Sequence, residues 1–167
     1  GLKLNSSNQT LHLAQPGKKS KFNFNLDGTK KSGWKYEWTS DNEEVATVNP
    51  KNGVTVAVGI GTANITVVIK DKKGKEIDRL TATVTVKDNI KELGIANVPD
   101  EAIKVDQEYD FDRTFVTYSG VTEKTGKTTA VTRWSVEGDN SGKASINPEN
   151  GKFTASEAGK YTVVARA

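Results

Sequence analysis

An all-β chain built as two tandem two-sheet sandwiches is the fold class this sequence predicts, and three observations lead there. Apolar and polar residues alternate with period two along nearly every segment, the spacing that gives a strand one inward face and one face in water. Turn-forming Gly, Asn, Asp and Pro punctuate these runs at short intervals, and no segment carries a helical period. Finally, Asn49-Pro50-Lys51-Asn52-Gly53 returns as Asn147-Pro148-Glu149-Asn150-Gly151, and the likeness continues at a constant offset of 98, pairing Ala57 with Ala155 and Gly61 with Gly159. A repeat of that length is a whole small domain. Domains at 1–88 and 89–167 are therefore expected.

The first copy reads as about seven short strands. Leu11 and Leu13 flank His12. Phe22, Phe24 and Leu26 alternate with Lys21, Asn23 and Asn25 as one strand, and Trp34, Tyr36 and Trp38 alternate with Lys35 and Glu37 as the next. Ala46 and Val48 follow, then Val54, Val56 and Val58, then Ala63, Ile65, Val67 and Ile69. Asp71-Lys72-Lys73-Gly74 is a hairpin turn, and Leu80, Ala82, Val84 and Val86 form the returning strand. Asn-Pro-x-Asn-Gly suits a tight turn, since Pro presets one φ and Asn-Gly accepts the left-handed conformation.

Lys87-Asp88-Asn89-Ile90-Lys91 reads as a short polar join, able to bend over a limited range of angles. The second copy then repeats the plan through Leu93 and Ile95, Ile103 and Val105, Tyr109 and Phe111, and Phe115 with Thr117. Val121 to Thr129, with Gly120 and Gly126, is read as a polar hairpin tip. Thr132, Trp134 and Val136 correspond to the Trp38 strand, and Ala144 and Ile146 to Ala46 and Val48. No counterpart of Leu80–Val86 follows, so the strand Tyr161 to Ala165 is expected to be paired on one side only, leaving an edge that invites another strand.

Composition excludes several functions. The net charge is +3, divided as +5 through Asp88 and −2 beyond it, and the lysines fall mostly in turns such as Lys18-Lys19, Lys30-Lys31 and Lys72-Lys73. With no basic helix and no aromatic-basic signature, nucleic acid is not an expected partner. There is no Cys and a single histidine, His12, so Ser-His-Asp, Cys-His and His-rich zinc chemistry lack their residues. No catalytic, cofactor-binding or metal site is assigned. No apolar run approaches the roughly 20 residues of a membrane span and no signal pattern opens the chain. Gly1 reads as mid-protein, with any targeting signal or anchor expected outside the segment.

Four features were weighed as sites. Trp34, Tyr36 and Trp38 share one face, which could stack a sugar but contains the core Trp, so core packing is the better reading, with Trp34 nearest the loop. Asp106, Glu108, Asp110 and Asp112 share a face opposite Tyr109 and Phe111, their neighbours about 6.5–7 Å apart along the strand. Calcium asks for six to eight converging oxygens, so a solvated acidic strand paired with Arg133 or Lys104 is preferred. Asp41, Glu43 and Glu44 form a second acidic turn without an assigned metal. Asn5-Ser6-Ser7, Asn8-Gln9-Thr10 and Asn64-Ile65-Thr66 fit the glycosylation pattern but carry little weight in an Asn- and Thr-rich chain.

The run Trp38-Thr39-Ser40-Asp41-Asn42-Glu43-Glu44-Val45-Ala46-Thr47-Val48-Asn49, then Gly53-Val54-Thr55-Val56 and Gly61-Thr62-Ala63-Asn64-Ile65-Thr66-Val67, resembles a bacterial immunoglobulin-like domain of group 2, over most of residues 10–87. The second copy keeps Trp134, Ala144, Ile146, Gly151, Ala155 and Gly159 but replaces the Ser-Asp turn with Glu137-Gly138-Asp139-Asn140-Ser141-Gly142, which makes it a diverged relative. The resemblance implies a sandwich of the kind found in bacterial surface-layer proteins, adhesins and secreted polysaccharide-degrading enzymes, with no shared catalytic residue or ligand to carry over. Trp38 and Trp134 are each large enough to bridge the roughly 10 Å between sheets, and Gly53, Gly61, Gly151 and Gly159 fall where a positive φ is expected.

The expected function is that of a non-catalytic structural spacer in a bacterial cell-surface or surface-layer protein, located outside the cell. Its partners would be neighbouring domains or copies, or a cell-wall or host polysaccharide or protein. The alternatives are an adhesin-like recognition module using loops such as Val121–Thr129, and an accessory domain of a secreted glycoside hydrolase.

Overall fold

A strand with one apolar face must cover it with a second sheet, and the chain does this within two units, Gly1–Asp88 and Asn89–Ala167. The computed structural model describes residues 1–14, 19–138 and 140–167. Lys18 of the expected lysine turn and Asp139 of the turn at 137–142 therefore lie outside the described residues. Those described form strands and turns and no helix.

The first unit runs through β1 (Lys3–Leu4), β2 (Asn8–His12), β3 (Lys21–Asn23), β4 (Leu26–Asp27), β5 (Lys35–Ser40), β6 (Ala46–Val48), β7 (Val54–Ala57), β8 (Gly61–Lys70) and β9 (Glu76–Lys87). They assemble as a four-stranded sheet, β2-β9-β8-β5, a three-stranded sheet, β3-β7-β6, and a ribbon, β1-β4. β8 and β9 are antiparallel across a tight turn. Asp71 Oδ1 accepts the N–H groups of Lys73 (2.9 Å) and Lys75 (3.0 Å) there, closing it locally. β2 pairs with β9 in parallel, from Asn8 opposite Thr83 to His12 opposite Lys87. Trp38, Val67 and Val84 from one sheet pack with Phe24 and Ala46 from the other side in a single core.

Two expectations change on folding. Phe22, Phe24 and Leu26 do not lie on one strand: β3 stops at Asn23, and the chain crosses to pair with β1 as β4. The crossing is held by Phe24 N–H on the Gly53 carbonyl (3.2 Å) and by Asn5, whose Oδ1 accepts Asn25 N–H (3.0 Å). The inward face of β7 is also the opposite of the one expected. Thr55 is 0% exposed, whereas Val58 is 52% exposed and Val54 and Val56 are only half-buried. A one-residue shift turns every side chain of a strand over. Thr55 tolerates the interior because its hydroxyl donates to the Gly53 carbonyl (3.3 Å).

The second unit comprises β10 (Ile90–Ile95), β11 (Tyr109–Asp110), β12 (Arg113–Thr117), β13 (Arg133–Val136), β14 (Ala144–Ile146), β15 (Lys152–Ala155) and β16 (Val163–Arg166). These pair as β11-β15-β14, β10-β12 and β13-β16. Phe111, Trp134, Ala144, Phe153 and Ala155 make the main core, with Ile90, Phe115 and Ala130 in a smaller cluster.

The repeated pentapeptide does the same job in both units. Gly53 N–H bonds to the Asn49 carbonyl (3.1 Å) and Gly151 N–H to that of Asn147 (3.0 Å). Trp38 N–H reaches the Pro50 carbonyl (3.0 Å), and Trp134 N–H that of Pro148 (2.9 Å). Both glycines are left-handed, at φ +77° and +76°. The aromatic sets match as well: Phe22 meets Phe24 edge-on at 4.8 Å and Tyr109 meets Phe111 at 4.9 Å, while each core Trp lies against the second ring of its set.

Other expectations are corrected. The join at 87–91 is less solvated than its polar composition suggests: Lys87 ends β9, Ile90 opens β10 and is buried, and Asp88 is 2% exposed. Ile103 and Val105 form no strand. Val121–Thr129 connects β12 to β13, which belong to different sheets; the chain folds back as a hairpin only at its start, around Gly120, where Val116 bridges Thr122 antiparallel. Gly159 has no positive φ, unlike Gly61 at +143°.

Candidate functional site

Each residue weighed as a site has a definite place. His12 ends β2 with its side chain exposed. Trp38 is buried in the core, while Trp34 and Tyr36 pack against that core half-buried. Lys31 Nζ stands 5.9 Å from the Trp34 ring and Lys30 Nζ 5.8 Å from that of Tyr36. Of the three rings only Trp38 is fully withdrawn into the core, as core packing requires. The Tyr36 hydroxyl is buried with no hydrogen-bond partner among the described residues.

The four acidic residues of 106–112 do not share a strand. Only Tyr109–Asp110 is extended into β11, and Asp106 sits in a left-handed turn at φ +64°. The ion pairs also differ from the expected ones. Glu108 meets Lys152 at 3.7 Å, and Arg133 meets Glu149 at 3.6 Å. Asp112 Oδ1 accepts Arg113 N–H (2.9 Å). Arg113 in turn lies over the Phe115 ring at 4.6 Å and bonds to the Thr132 hydroxyl. Partial burial lowers the guanidinium's pKa from its ordinary value, with nearby Asp112 opposing that shift.

The second acidic turn is a structural clamp. Asp41 accepts the backbone N–H of Asn64 at Oδ1 (2.7 Å) and its side-chain amide at Oδ2 (2.9 Å), tying the turn after β5 to β8. The backbone bond first, and the side-chain bond second, hold this carboxyl below the usual aspartate pKa. Among the described residues, no three His, Asp or Glu side chains converge as metal ligands would.

The glycosylation triplets are engaged in the fold. Asn64 gives its amide to Asp41 and accepts the Thr83 hydroxyl (3.2 Å). Asn5 bridges Asn23 and Asn25, donating to the Asn23 carbonyl (3.0 Å), and Asn8 donates to the Ser7 hydroxyl (3.3 Å). The 121–129 loop is ordered from within: the Thr122 carbonyl accepts from Thr125 (3.0 Å) and Gly126 (3.2 Å), and Val121 packs beside the smaller core cluster.

Sequence reasoning did not locate a hollow of about 550 Å³ in the second unit, lined by Ile103, Val105, Phe153, Ala155, Tyr161 and Val163 among others. Its one sequence signal was the missing counterpart of Leu80–Val86. The hollow opens beside β16, whose one ladder among the described residues runs to β13, from Val136 opposite Val163 to Arg133 opposite Arg166.

The arrangement thus offers sheet surface, edges and one apolar hollow. No curated protein matches the chain. Among solved structures, domains 4 and 5 of the S-layer protein SbsC align over 99% of this chain and 91% of that one, at 19% identity and a TM-score of 0.33. Human protocadherin-24 EC1-2, form II, aligns over 100% of this chain and 94% of that one, at 13% identity and a TM-score of 0.41. SbsC domains 1–6 align over 99% of this chain and 26% of that one, at 20% identity and a TM-score of 0.34. The family model for the bacterial Ig-like domain (group 2) matches residues 9–80, so over that span the chain is similar to that family.

Proposed function

We propose that the chain is a non-catalytic, load-bearing spacer in a bacterial surface or extracellular protein. The observation that carries this reading is the parallel ladder between β2 and β9. β2 is an early strand of the first unit and β9 is its last. Because the two run parallel, tension applied at the two ends of the unit pulls them in opposite directions along their common axis. The ladder is then loaded in shear, so its hydrogen bonds resist together instead of peeling singly, each worth about 1 kcal/mol. A bacterial Ig-like domain at residues 9–80 and aromatic residues committed to the interior support the same reading.

Single-molecule pulling tests it. The N–H groups of Gln9 and Leu11 face β9, as follows from Thr83 N–H on the Ser7 carbonyl (2.9 Å) and Leu13 N–H on that of Lys87 (3.0 Å). Gln9→Pro deletes one of these donors. End-to-end pulling of the variant should unfold the first unit at a clearly lower force than wild type, while pulling between Lys73 and the C-terminal end of β9 should change less. Equal forces for both proteins in end-to-end pulling would remove the mechanical reading. Saturable binding on a glycan array, lost on mutating the 121–129 loop, would replace it with recognition.

A further inference from the structure

We propose that one end of the first unit, formed by the β8–β9 turn and the loop before β5, binds a flexible polymer that carries phosphates along a sugar or polyol backbone. In sequence, Lys30-Lys31 and Lys72-Lys73 read as two separate solvated turns. The fold makes them neighbours. A Cβ built on Gly33 would stand 3.0 Å from Cβ of Lys72, and Lys35 lies directly opposite Lys70 across the β5–β8 ladder. The segments Lys30–Glu37 and Lys70–Arg79 hold eight Lys and Arg against four Asp and Glu, a net of +4 where the whole chain carries +3. The positive charge of the chain is thus collected at this end.

The acidic groups there are already committed, and most of the lysines are not. Lys70 Nζ meets Glu37 at 3.1 Å and Arg79 meets Glu76 at 2.7 Å. Asp71 accepts the N–H groups that close its own turn, and Asp78 Oδ1 accepts Arg79 N–H (2.8 Å). Lys30, Lys31, Lys35, Lys72, Lys73 and Lys75 are exposed, and none of them forms an ion pair among the described residues. Like charges directly opposite one another destabilise a sheet, so Lys35 across from Lys70 does not serve the fold. Unpaired ammonium groups gathered at one end also repel one another. A partner that supplies the negative charge accounts for the collection.

The kind of charge and its placement choose that partner. The unpaired cations are all lysines, compact point charges that hold phosphate without the planar two-point fit by which Arg takes a carboxylate. They also stand on both faces of the sheet. Lys30 and Lys31 lie beside the rings of Tyr36 and Trp34, which turn toward the core, whereas Lys35 alternates with those rings and faces the other way. A thread can pass from one face to the other around the turn, but a flat bilayer meets the turn alone. Trp34 is half-buried here, so part of its ring remains for a sugar to cover. Among the described residues no helix exists to enter a duplex groove. Such binding is independent of the load-bearing ladder between β2 and β9.

Calorimetric titration of the full chain with poly(glycerol phosphate) tests this, with polygalacturonate, duplex DNA and phosphatidylglycerol vesicles as competing probes. One variant changes Lys31, Lys72 and Lys73 together to Gln. A second changes Lys19, Lys21 and Lys87, exposed lysines of the first unit outside this end, so that net charge falls equally. At about 1.5–5-fold per exposed ion pair, the first variant should bind the polymer about fivefold more weakly or worse, and the second within about twofold of wild type. Binding should also weaken sharply between about 0.1 M and about 1 M salt, as the screening length falls from about 10 Å to about 3 Å. Amide shifts of the wild-type chain, which need no variant to fold, should move most at Gly33, Lys35, Lys72 and Gly74. The first variant should keep the wild-type unfolding force in end-to-end pulling, so loss of polymer binding and loss of the mechanical reading are separate results. No binding at about 0.1 M salt, equal weakening in both variants, shifts centred elsewhere, or tighter binding of any competing probe would overturn the proposal.

Discussion

Replacing Gly53 by alanine tests the shared core device most directly. Gly53 adopts φ +77°, and a Cβ there would stand 2.6 Å from the Phe24 carbonyl oxygen and 2.9 Å from Cε2 and Cζ2 of Trp38. The left-handed conformation costs a non-glycine residue about 1–2 kcal/mol. Forcing the carbonyl and the indole apart adds about 1–3 kcal/mol, the usual range for overpacking. Lower entropy of the unfolded chain returns about 0.4–1 kcal/mol. The net expectation is a loss of about 3 kcal/mol from the first unit. Gly74→Ala is the control: its φ of +84° carries similar strain, but nothing lies within 4 Å of the new Cβ, so its loss should stay below about 1.5 kcal/mol. Urea unfolding followed at the amide signals of Val67 and Val84 reads the first unit alone, by linear extrapolation. If Gly53→Ala proves no worse than Gly74→Ala, the close approach of turn to tryptophan does not hold the core, and the matching argument for Gly151 and Trp134 fails with it.

Two further outcomes follow from the site geometry. Asp41 has its carboxyl pKa lowered by the Asn64 bonds, so its stabilisation is present above the unfolded-state value, near about 4, and fades as pH falls through the lower folded value. Asp41→Ala should therefore lower the melting temperature of the first unit at pH 7, with the gap to wild type narrowing as pH falls below about 4; a gap of constant size would contradict this. Tyr36→Phe removes a buried hydroxyl that has no partner among the described residues, so stability measured by urea unfolding should hold or rise by up to about 1 kcal/mol; a loss greater than about 1 kcal/mol would mean the hydroxyl is bonded.

Period two and the repeated Asn-Pro-x-Asn-Gly were enough to specify strands, two like cores and the glycine that seats each tryptophan, because these depend on alternation and turn chemistry within a few residues. The acidic run at 106–112 read as a strand face for the same reason, yet Asp106 turns left-handed and Glu108 finds Lys152. Partners distant in sequence chose otherwise. β7 makes the point sharply: Val54 and Val56 against Thr55 and Ala57 is nearly a tie for a local reading, and packing decided for Thr55. The second copy held the clue, since Phe153 and Ala155 stand at the Thr55 and Ala57 positions and are buried. Ile103 and Val105 alternate as well as Leu11 and Leu13 do, but a strand is a shared object, completed only where a neighbour supplies the opposing hydrogen bonds. Local alternation therefore marks which segments can become strands, and the pairing of distant segments settles which of them do, which face turns inward and which edge is left open.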